Sequence, residues 1–182
     1  MKPSHLVLKS TPRGFTLIEL IIVITIVSIL ATVLLTRLVD YQERAEKVAM
    51  EQTAGVIRSA LHLQLADLIA RNRASDIPKL LNENPMTWLA ERPSNYHGEY
   101  FNPSPGQIES GSWYYDLKTR QLVYLVDRGG HFLPDAAGRK AVSYELILVY
   151  NPERQQAAGI PPVKEVGGVL LQLARPYEWY KG

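Results

Sequence analysis

Phe15–Leu35 reads FTLIELIIVITIVSILATVLL, 21 residues carrying one charge, Glu19. As a helix rising about 1.5 Å per residue, such a run spans roughly 30 Å, the thickness of a bilayer's hydrocarbon core. It exceeds the apolar region of about 7–15 residues found in a secretory signal, and no A-x-A cleavage pattern follows it. Its flanks set the expected orientation. Lys2, Lys9 and Arg13 precede it with no acid among the first fourteen residues. Arg37, Asp40, Glu43, Arg44, Glu46 and Lys47 follow it with mixed sign. The positive-inside bias puts the leading segment in the cytoplasm and the remainder beyond the membrane.

The rest of the 182 residues suffices for one small folded domain. There is no cysteine, which excludes a disulfide-stapled fold and thiolate chemistry. The formal charge is +2, but the three leader bases taken from 20 leave 17 against 18 acidic residues. The body is therefore near neutral, which argues against a nucleic-acid partner.

Glu19 is the anomaly of the apolar run. A carboxylate inside a membrane span costs about 2.5–3.5 kcal/mol at the centre on insertion scales, less near the interface. It either reaches the headgroups or meets a cation. No side chain of the span supplies one, but a free amine would if the chain were cut immediately before Phe15. The stretch Arg13-Gly14-Phe15-Thr16-Leu17-Ile18-Glu19-Leu20 resembles the cleavage and methylation signature of type IV prepilins and type II secretion pseudopilins. The resemblance covers Lys2 to about Leu35. It implies cleavage after Gly14 by a prepilin peptidase, methylation of the new amine on Phe15, and a role for the Glu19 carboxylate in subunit recruitment. It further implies a non-enzymatic subunit without cofactor. Its partners would be other pilin or pseudopilin subunits and an inner-membrane assembly platform. It would be a single-pass protein of the bacterial inner membrane, with its C-terminal domain in the periplasm and the assembled filament there or at the cell surface. Many type IV pilins carry a proline later in this helix, whereas none occurs here between Pro12 and Pro78. Many also close a C-terminal loop with a disulfide, and its absence leans toward a secretion pseudopilin. A single-span membrane-anchored binding protein or enzyme is the alternative.

The helical pattern continues past the span. From Thr36 to Arg73 there is no proline and one glycine, Gly55. Val56, Ala60, Leu63 and Ile57, Leu61, Leu65, Leu68 recur at three- and four-residue steps. This predicts one helix from Phe15 to about Arg73, with a break near Gly55 as the alternative. Residues 74–111 read as a proline-chopped connection, with helical turns at Ile77–Asn82 and Met86–Glu91 that dock Leu80, Leu81, Trp88 and Leu89, and with loop from Asn95 to Gly111. From Ser112 onward strands are expected: a hairpin turning at Lys118-Thr119-Arg120, then Ala141–Tyr150 and Gly168–Ala174. The expected organisation is leader 1–14, transmembrane helix 15–35, amphipathic continuation 36–73, connection 74–111 and sheet region 112–182. The fold class is α+β, a long helix on a three- to four-stranded antiparallel sheet, which matches the architecture the resemblance implies.

Catalytic and metal patterns are absent from the sequence. His5, His62, His97 and His131 show no metal-ligand spacing. Gly129-Gly130 and Gly167-Gly168 read as turns, and no nucleophile motif occurs. Asp116, Asp127 and Asp135 fit no calcium-binding loop. Tyr177, Trp179 and Tyr180 offer either an exposed contact or a pin for the last strand.

Overall fold

The computed structural model describes residues 14–150 and 166–180, without the side chains of Thr36 and Val166. The leader bases Lys2, Lys9 and Arg13, and His5, lie outside the described residues. One helix, α1, runs from Leu17 to Ala70 and passes through Gly55. It ends three residues before the expected Arg73 for a local reason. Asn72 adopts φ 56°, its N–H bonds Ile69 O at 3.0 Å, and the Arg73 N–H bonds Leu68 O at 2.8 Å. This paired closure on a left-handed asparagine is the Schellman stop.

The chain divides into two compact units, Met1–Tyr41 and Gln42–Gly182. In the first, the apolar helix is uncovered among the described residues: Leu17, Ile18, Leu30 and Leu34 are all more than 60% exposed. Its hydroxyls are turned inward. Thr25, Ser28 and Thr32 each donate to the carbonyl four residues back, at 2.7–2.9 Å. A helix so arranged satisfies its polar groups without water, as a bilayer requires.

In the second unit, α1 residues beyond Tyr41 lie against a five-stranded sheet of order β1-β2-β3-β4-β5. The strands are Tyr96–Tyr100, Ser112–Asp116, Gln121–Leu125, Ala141–Tyr150 and Val166–Leu173. β2 to β5 pair antiparallel in sequence order. Met50, Ala54, Ile57 and Leu61 of α1 meet Trp113, Tyr115, Leu122, Tyr124, Val142, Tyr144, Val169 and Leu171 in one core. Period-two alternation puts these strand residues on the helix side. Of the residues expected on one apolar stripe of the helix, only the row of Ile57 and Leu61 turns inward. Leu65 and Leu68 continue it, whereas Val56 and Leu63 are 51% and 72% exposed.

The sheet has one strand more than expected. Residues 96–100, read as loop, form β1, which pairs parallel with β2 through Tyr96↔Trp113 and Glu99↔Tyr115. Gly98, at φ 107°, sits in the register shift between these pairs, so the strand lacks an uninterrupted alternation. It is held from outside the ladder: Asn84 donates to the Tyr96 hydroxyl at 2.6 Å and to Glu99 at 2.8 Å. The connection before it forms two 3₁₀ helices, Ala74–Asn82 and Pro85–Trp88. Leu80 is buried in the core, and Leu81, Trp88 and Leu89 pack against it. The C-terminal aromatics act as a pin and do not form a projecting contact. Trp179 is 2% exposed and bridges to Phe132, while Tyr177 and Tyr180 lie half-buried on the same core.

Candidate functional site

The helix start is built from Gly14, Phe15, Thr16 and Glu19. Thr16 is its N-cap. Its hydroxyl accepts the Glu19 N–H at 3.3 Å, and its carbonyl accepts the Leu20 N–H at 3.2 Å. One of the orphan donors of the first turn is thereby satisfied. Thr16-Leu17-Ile18-Glu19 has the spacing of a capping box, a signal that reading the stretch for charge alone passes over. Glu19 is an acid in the first turn, where the helix dipole favours negative charge. Its carboxylate meets no side chain among the described residues. Phe15 is 81% exposed. Gly14 has open space where a Cβ would stand, so none of the described residues demands glycine there.

A second set of glutamates lies further along α1, in the second unit. Glu43 is 2% exposed. Its Oε1 accepts the His131 backbone N–H at 2.8 Å and the Trp179 indole N–H at 3.0 Å, and its Oε2 lies 2.8 Å from His131 Nδ1. Burial alone would raise its pKa, but the bonds from His131 and Trp179 outweigh it and hold the carboxyl below the ordinary value. One turn on, Glu46 accepts the backbone N–H groups of Asp127 and Arg128, each at 2.7 Å, and the Tyr124 hydroxyl at 3.0 Å. Burial and that carboxylate push the Tyr124 phenol upward. These two acids fasten the Asp127–His131 turn and the C-terminal segment to the helix. In the sequence they read only as polar flank, and their role as anchors is missed. The overlooked signal is Gly129-Gly130. A Cβ on Gly130 would stand 3.2 Å from Glu43 Oε2, and one on Gly129 would stand 2.8 Å from Lys140 Cδ.

The remaining polar candidates do not converge. Among the described residues no group of three or more His, Asp or Glu is placed to hold a metal. Asp116 accepts the backbone of Asn102 and Lys118, Asp127 bonds Ser110, and Asp135 pairs with Arg139. His62 and His97 are exposed.

Residues 9–35 match the family described as the prokaryotic N-terminal methylation motif, so the chain carries that motif. A stretch of 48 residues is 46% identical to the type IV narrow pilus major component PilA5 of Thermus thermophilus. The stretch covers 26% of this chain and 41% of that relative's length. No solved structure matches the chain.

Proposed function

We infer that this chain is a structural subunit of a type IV pilus-like filament or of a type II secretion pseudopilus. The observation that carries the reading is the N-terminal motif joined to a helix whose apolar surface is uncovered among the described residues. Such a surface needs lipid or the helices of neighbouring subunits, and exchanging one for the other changes little in hydrophobic burial. In this reading a prepilin peptidase cleaves after Gly14 and methylates Phe15. The open surroundings of Gly14 support it, since the need for glycine then arises in the peptidase's cleft. The protonated amine of Phe15, in the same chain or an incoming one, neutralises Glu19, whose charge otherwise stands alone in an apolar medium. Residues 15–35 hold the subunit in the inner membrane, and the α+β part stands in the periplasm until an assembly platform draws the subunit into the polymer. Between the two systems, the similarity to a pilus component favours the pilus.

Intact-mass measurement of protein isolated from its host tests the reading. A mass lacking residues 1–14 and carrying one added methyl group is expected. A protein that retains its starting methionine overturns it and leaves a membrane-anchored binding protein or enzyme.

A further inference from the structure

We draw no further inference here: the strongest candidate, the apolar face of α1 turned away from the sheet, where Val48, Val56 and Leu63 are 60%, 51% and 72% exposed, carries none because nothing among the described residues shows what covers it.

Discussion

Glu19 and Glu43 sit on one helix in opposite circumstances. Glu19 stands among exposed aliphatic side chains, with no side chain at its carboxylate among the described residues. Glu43 is buried and receives His131 twice and Trp179 once. Each is a charge removed from easy hydration, and such a charge is tolerated only when something satisfies it. For Glu43 the solution lies inside the chain and its purpose is folding. For Glu19 the described residues supply none, so under the proposed function the solution comes from a processed amine, and the same physics serves assembly.

The largest effect expected from this contrast is at Glu19. Glu19→Leu removes a membrane-insertion penalty of at most about 2.5–3.5 kcal/mol, so the subunit still reaches the membrane fraction. Filament in the sheared extracellular or overproduced pseudopilus fraction falls below detection by immunoblot. Normal polymer from this variant would remove the counter-ion role altogether. Glu43→Ala has the opposite signature. It leaves the buried Trp179 indole and the part-buried His131 N–H without their acceptor, at roughly 1–3 kcal/mol for a buried group. Urea unfolding of the full chain in micelles, followed by tryptophan fluorescence, should show a loss of about 3 kcal/mol. A loss under about 0.5 kcal/mol, typical of a surface change, would demote Glu43 to a bystander.

A pH titration sharpens the same contrast on a smaller scale. The folded pKa of Glu43 lies below its ordinary value of 4.5. Its contribution to stability is therefore complete above that value and is lost as pH falls through the depressed folded pKa. Asp76 and Asp135 are also lowered, Asp76 mainly by Lys79 and Arg73, and Asp135 by the Arg139 and Ala137 backbone, so wild type carries a background loss in the same acid window. Glu43→Gln keeps those aspartates, and the surrounding His131, Arg44 and Tyr180, unchanged. The stability difference between wild type and variant should shrink as pH falls below about 4.5. A difference constant from pH 7 to pH 3 would show that the carboxylate's charge contributes nothing.

What could be read beforehand follows from the range of the forces involved. The long apolar helix depends on composition over a contiguous stretch, and it was legible. So were the hairpin at Lys118-Thr119-Arg120 and the strand Ala141–Tyr150, where turn chemistry and alternation are local. The apolar stripe on α1 was legible as helix, but nothing local says which of its residues meet the sheet. Val56 and Leu63 have the same spacing as Ile57 and Leu61, and only the placement of β2 to β5 decides between them. β1 was hidden because Tyr96-His97-Gly98-Glu99-Tyr100 is polar, is broken by a left-handed glycine, and is fixed by Asn84 from a separate element. Glu43 was hidden because its partners lie near residues 131 and 179.

The smallest expected effect bears on the helix start. Thr16 caps α1 through the Glu19 N–H, and the same turn must present both the Phe15 amine and the Glu19 carboxylate if the two are to pair. Thr16→Ala should cost about 1 kcal/mol of local stability, roughly a fivefold rise in amide exchange confined to the first turn after Leu17, with the second unit unchanged. Thr16→Ser, which keeps the accepting hydroxyl, should restore protection. If Thr16→Ala also lowers filament yield while Thr16→Ser does not, the cap is what holds Glu19 in place for its cation. If exchange rises and yield stays at the wild-type level, Glu19 finds its partner without a fixed first turn, and the pairing tolerates a frayed helix end.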